Sequence, residues 1–161
     1  FRRVLFRSTE IDISYIIQKV KELDKIDVVI VGFGRMGKRH YKELLQNNLY
    51  NIIGVIDPYI DLPKNVLKLN NFNEAQKLGA FCAIISTPTN THYDIVLDCL
   101  NYDINILLEK PAFLNDKHFT DIINKTNYKI CVGMIERYNP MINELINIHR
   151  SGNGHRIVYC W

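Results

Sequence analysis

The sequence predicts an α/β fold built on a doubly wound parallel sheet, and three observations predict it. Short apolar segments alternate with helical segments of about ten residues, the pattern of βαβ units. The apolar segments, such as Val28–Val31 and Ile52–Ile56, are continuous runs, as expected for strands covered on both faces. The first of them leads directly into a glycine triad and then a helical pattern.

Composition agrees with this class. The chain has 161 residues, 47% hydrophobic and 23% charged, close to the globular average. No apolar run approaches the roughly 18 residues of a membrane-spanning helix, so no membrane partner is expected. The four cysteines, Cys82, Cys99, Cys131 and Cys160, form no CxxC pair. They read as small buried hydrophobes in a reducing, cytoplasmic setting, with no metal site.

Taken in order, residues 1–8 (Phe1-Arg2-Arg3-Val4-Leu5-Phe6-Arg7-Ser8) match, in one codon choice, the end of a widely used sequencing adaptor. They are expected to be translated adaptor, and the chain a fragment. The formal charge of +3 comes from 20 basic and 17 acidic residues. The three arginines of this octapeptide account for all of the excess, so no nucleic-acid partner is expected. Residues 9–26 read as a helical extension, with Ile13, Ile16, Ile17, Val20 and Leu23 on one face and Lys19, Lys21 and Glu22 on the other.

Residues 27–140 carry the predicted α/β domain. Its strands are Asp27–Val31, Asn51–Ile56, a short Val66–Leu69, Phe81–Ser86, Ile104–Leu108 and Lys129–Met134. Its helices are Gly37–Asn47, a short Asn73–Leu78, Asn90–Leu100 and Asp116–Thr126. A helix at Pro140–Arg150 and a strand at Arg156–Cys160 follow. Repeats, low-complexity tracts and linkers are not evident.

The loop Gly32-Phe33-Gly34-Arg35-Met36-Gly37 is a G-x-G-x-x-G between strand and helix. Gly32 allows the tight turn, Gly34 lets backbone approach a pyrophosphate, and Gly37 lets the helix pack against the strand. Free N–H groups and the positive dipole end then hold the phosphates. Asp57 ends the next strand, where a carboxylate accepts from the adenosine ribose hydroxyls and repels a 2′-phosphate. NAD is therefore favoured over NADP, although Arg35 and Arg39 could still accommodate the extra phosphate. A plain tight turn and a turn aspartate before Pro58 are the structural alternatives.

Two further corners follow strands. Phe81–Ser86 runs into Thr87-Pro88-Thr89-Asn90-Thr91-His92, and Ile104–Leu108 into Glu109-Lys110-Pro111. Open α/β sheets bind ligands at such carboxyl ends. Taken in order, the G-x-G-x-x-G, the T-P-x-x-x-H and the E-K-P resemble the Gfo/Idh/MocA family of NAD(P)-dependent oxidoreductases, with a Rossmann-type fold. Gly133-Met134-Ile135-Glu136-Arg137-Tyr138-Asn139-Pro140 is similar to the G-x-x-E-R-[FY]-N-P of its sugar and nucleotide-sugar members. The resemblance covers about residues 25–161.

The resemblance implies roles position by position. Lys110 would stand near the nicotinamide and the substrate hydroxyl, orienting the hydroxyl and stabilising developing alkoxide as hydride leaves. Otherwise it is a surface lysine. Pro111 would follow a cis peptide, or else form an ordinary turn. Glu109 would line the cofactor crevice, or else act as a cap or solvated acid. Thr87, Pro88 and His92 would flank the cofactor, with a structural hydrogen bond as the other reading for His92. Arg137, Tyr138 and Asn139 would face substrate, while Asn139 could equally cap the helix at Pro140. His40, His118, His149 and His155 read as surface or packing residues.

The resemblance also implies about twice this length. Residues 141–161 would then begin a carboxy-terminal α+β substrate domain, which supplies the general base and the face of a homo-oligomer. A helical extension before the first strand departs from the family pattern. The expected reaction is reversible hydride transfer between nicotinamide and a secondary alcohol of a sugar, nucleotide-sugar or cyclitol, with this chain alone inactive. A non-catalytic NAD(H)-binding module is the alternative, and an S-adenosylmethionine-dependent methyltransferase a more distant one.

Overall fold

A computed structural model describes residues 25–125, 130–134 and 140. Segments 1–8 and 9–24, the helix expected from Pro140, the strand at 156–160, and Arg137, Tyr138 and Asn139 lie outside the described residues.

Six strands form one sheet: β1 (Ile26–Val31), β2 (Tyr50–Ile56), β3 (Lys68–Leu69), β4 (Cys82–Ile85), β5 (Asn105–Leu108) and β6 (Ile130–Val132). Among the described residues, four α-helices connect them: α1 (Arg35–Leu45), α2 (Phe72–Lys77), α3 (His92–Leu100) and α4 (Asp116–Lys125). Every pairing is parallel. The strand order is β3-β2-β1-β4-β5-β6, so the winding direction reverses between β1 and β4. This is the doubly wound Rossmann arrangement, and its crevice opens at that reversal.

The side-chain alternation of β1 divides the interior. Val29 and Val31 join a large cluster with Ala83, Ile85, Val96, Cys99, Ile106, Leu108 and Ile122, on the face covered by α3 and α4. Ile30 faces the other way and meets Phe33, Val55, Tyr41 and Leu44 beneath α1. Val29, Ile30, Val55 and Ile85 are completely buried. Each such side chain contributes about 1.5–3 kcal/mol through removal from water. Cys99 lies in the large cluster, where burial first, then Cys82 and Asp98, pushes its thiol up to about 12. Cys131 departs from the expectation of burial. It is exposed on β6, the outer strand.

Two helix starts differ by two residues from those expected. α1 begins at Arg35 rather than Gly37, because the Lys38 N–H already reaches the Gly34 carbonyl at 3.0 Å. The segment expected as one helix from Asn90 opens as a 3-10 turn, Thr89–Thr91, and becomes α-helical at His92. Pro88 sets this entry: its carbonyl accepts from the Thr91 N–H at 2.9 Å.

Parallel pairing brings three strand ends into line. Val31 is opposite Ile85, and Ile85 is opposite Leu108. Adjacent strands lie about 4.8 Å apart, so the corners after β1 and β5 are separated by about 10 Å at the backbone.

Candidate functional site

The glycine corner follows β1. Gly32 has φ +85°, a region that disfavours side chains, and a Cβ there would lie 2.7 Å from Thr87 Cγ2. A Cβ at Gly37 would stand 2.0 Å from the Gly32 carbonyl oxygen and 3.0 Å from Ser86 Oγ. The helix thus packs directly on the turn. Gly34 behaves differently: a Cβ there would meet nothing within 4 Å. Open space therefore lies over the loop where the helix begins. No side chain caps α1, and its first turn carries no acid. Such a helix start presents unpaired N–H groups and the positive end of a dipole, so these residues fit a diphosphate.

Asp57 braces this loop from β2. Its Oδ2 accepts from the Phe33 N–H at 2.7 Å, and its Oδ1 accepts from the N–H groups of Tyr59 at 2.9 Å and Ile60 at 3.0 Å. Burial alone would raise this carboxyl, which is 7% exposed. The three N–H donors and nearby Lys68 outweigh it and hold the group below the usual carboxylate range. A carboxylate offers about four acceptor positions, so room remains for one further donor rather than two. Phe33 serves the loop from behind. Its N–H is committed to Asp57, and its ring is buried edge-on against Tyr41 at 5.5 Å. Arg35 is exposed at the helix start, and Met36 is half-buried.

The corner after β4 touches the glycine corner. Ser86, which the sequence reading passed over as a site residue, donates from its hydroxyl to the Gly32 carbonyl at 2.9 Å. Thr87 is half-buried, with its Oγ1 accepting from the Thr91 hydroxyl at 2.9 Å; Pro88 is exposed. His92 is buried at 1% exposure. Its Nε2 lies 2.9 Å from the Thr87 carbonyl and its Nδ1 3.0 Å from the Ala112 carbonyl. The structural hydrogen bond is therefore present. His92 ties the corner after β4 to the chain just past Pro111.

The corner after β5 is built from side chains. Lys110 and Pro111 are exposed, and the peptide between them is cis. Glu109 is half-buried. Its Oε1 is 2.7 Å from His40 Nε2 of α1, and its Oε2 accepts from the Lys110 N–H at 3.1 Å. His40 is a half-buried packing residue, as its sequence context suggests, and in addition it has a specific partner in Glu109. No local signal could have paired residues 69 positions apart.

Among the described residues, no cluster of three metal-ligating side chains occurs, and no helix is long and apolar enough to cross a membrane. A hollow of about 330 Å³ lies between α1 and the start of β2, lined by Tyr41, Leu44, Tyr50 and Leu67. It contains none of the three corners, which form an open edge.

Known proteins agree with this arrangement. The family described as "Oxidoreductase family, NAD-binding Rossmann fold" matches residues 26–134. The rhizopine catabolism protein MocA of Rhizobium meliloti is 28% identical over 134 residues, which cover 76% of this chain and 42% of MocA. Inositol 2-dehydrogenase of Arthrobacter sp. (strain FB24) is 29% identical over 147 residues, covering 80% of this chain and 43% of that enzyme. The UDP-N-acetylglucosamine 3-dehydrogenase GnnA of Acidithiobacillus ferrooxidans superposes with a TM-score of 0.66 at 19% identity, over 78% of this chain and 43% of GnnA. The chain thus spans less than half the length of these relatives. With the family match covering most of its length, the chain belongs to the Gfo/Idh/MocA oxidoreductases and carries their NAD-binding Rossmann fold.

Proposed function

We propose that this chain provides the cofactor-holding part of an enzyme that oxidises a secondary alcohol of a sugar, nucleotide-sugar or cyclitol. When bound, nicotinamide supplies the hydride acceptor. The carbinol carbon gives up hydride, the hydroxyl gives up its proton to a base, and a carbonyl forms. The base would belong to a substrate domain beyond these residues, as would the contacts of a homo-oligomer.

The chain's own residues bind and orient. The Gly32–Gly37 loop and the first turn of α1 hold the diphosphate through N–H groups. Asp57 accepts one adenosine ribose hydroxyl and repels a 2′-phosphate, which favours NAD over NADP. Thr87, Pro88 and His92 shape the wall beside the cofactor. Glu109 and Pro111 set the position of Lys110, whose ammonium orients the substrate hydroxyl and stabilises charge developing on its oxygen. Arg137, Tyr138 and Asn139 would complete the substrate side.

The observation that carries this reading is the common edge. The glycine, threonine and Glu-Lys-Pro corners all follow parallel strands in matched register. Relatives named as dehydrogenases of inositol and of a nucleotide-sugar support the substrate class. Calorimetric titration with NAD and NADP tests it. NAD is expected to bind weakly, NADP at least about tenfold more weakly, and the chain alone to turn over no polyol. No binding of either nucleotide would overturn the reading.

A further inference from the structure

We infer that His40 is a positioning residue. Its hydrogen bond to Glu109 fixes the Lys110 corner relative to the glycine helix, and so sets where the nicotinamide end of a bound dinucleotide meets Lys110. The inference rests on the cofactor reading above and deepens it.

The geometry is a shared carboxylate. One oxygen of Glu109 meets His40 on α1 at 2.7 Å, and the other receives the Lys110 N–H at 3.1 Å. The helix bearing His40 begins in the glycine loop, so its placement is tied to the diphosphate site. Glu109 immediately precedes Lys110, so its placement is tied to the lysine. The side chains are 23% and 15% exposed, which limits competition from water. Gly133 closes a third side. Its N–H donates to the Leu108 carbonyl at 2.8 Å, and a Cβ on it would lie 3.9 Å from the Glu109 carboxylate. Past the lysine, the Ala112 carbonyl meets buried His92 at 3.0 Å. The exposed Lys110–Pro111 dipeptide is therefore bracketed, with His40 on one side and His92 on the other. A long, flexible lysine can act at a fixed point only when its backbone is held in this way.

A purely structural bond would weaken every ligand alike. A positioning bond separates ligands that reach Lys110 from those that stop short of it. The test uses the chain with NADH, followed by its fluorescence, and ADP-ribose, followed by calorimetry. ADP-ribose keeps the adenosine and diphosphate but lacks nicotinamide. For His40→Ala the expected result is about tenfold weaker NADH binding, with ADP-ribose changed less than about twofold. His40→Gln places an amide nitrogen near the position of Nε2 and is expected to restore NADH binding to within about threefold. If the alanine variant does not fold, His40→Gln and His40→Asn carry the same test, because the longer amide reaches Glu109 and the shorter does not. Parallel losses for both ligands, or no loss for either, would overturn the positioning role while leaving the cofactor reading intact. Wild-type chain that binds neither ligand would overturn both.

Discussion

The corners after β1 and β5 lie on one edge of the sheet but are built by opposite means. The glycine corner is made of backbone. Its shape comes from missing side chains at Gly32 and Gly37, and from the Asp57 carboxylate held against the Phe33 N–H. The Glu-Lys-Pro corner is made of side chains. An exposed lysine is placed by a glutamate that borrows a histidine from another element. A surface that grips phosphate needs N–H groups, which every residue offers, so the sequence there must remove obstacles. A surface that acts on a hydroxyl, the role proposed for the second corner, needs a particular charge, so the sequence there must add a group and then restrain it.

The strongest way to break the first corner is Gly37→Ala. The new methyl would stand 2.0 Å from backbone oxygen, which cannot swing aside. A stability loss of about 3 kcal/mol or more is expected in urea unfolding. The strongest way to break the second is Lys110→Ala in a protein that also carries the substrate domain. There kcat is expected to fall about a hundredfold, with stability unchanged within about 0.5 kcal/mol because the side chain is exposed. An equal loss of NAD affinity would show that the lysine binds rather than acts.

Asp57→Asn sharpens the contrast. The amide cannot accept at both ends, so a loss of about 2 kcal/mol is expected at neutral pH. The native carboxyl is held below its ordinary range, so its stabilisation is complete above the pKa of an unfolded aspartate and lost as pH falls through the lowered folded value. The stability gap between wild type and variant is thus expected to stay level from about pH 5 to 7 and to narrow below about pH 4. A gap that persists in acid would show that packing, rather than ionisation, is what Asp57 supplies. Gly34→Ala should cost folding less than Gly37→Ala or Asp57→Asn, about 1 kcal/mol or less, because its methyl would meet no protein atom. It is nonetheless expected to weaken NAD about tenfold by occupying the diphosphate's space.

These differences explain what the sequence disclosed. Continuous apolar runs marked β1, β2, β4 and β5, because strands covered on both faces leave that trace locally. The glycine spacing marked the first corner for the same reason: its instructions lie within six consecutive residues. The start of α1 was misplaced by two residues because capping depends on which carbonyl Lys38 reaches, not on the glycine pattern. The supports of the second corner left no local trace. His40 meets Glu109 across 69 positions, and His92 meets Ala112 across 20. Asp57 was legible as a carboxylate at a strand end, but its three backbone donors depend on how the loop folds around it.

The unequal surroundings of Gly34 and Gly37 also bear on descent. A lineage that kept this fold but abandoned its ligand would be free to drift at Gly34, where no protein atom forbids a side chain. The same lineage would stay fixed at Gly37, where the protein itself forbids one. Residue usage at these two positions across descendants would therefore record, independently of any assay, when binding was lost and whether architecture survived it.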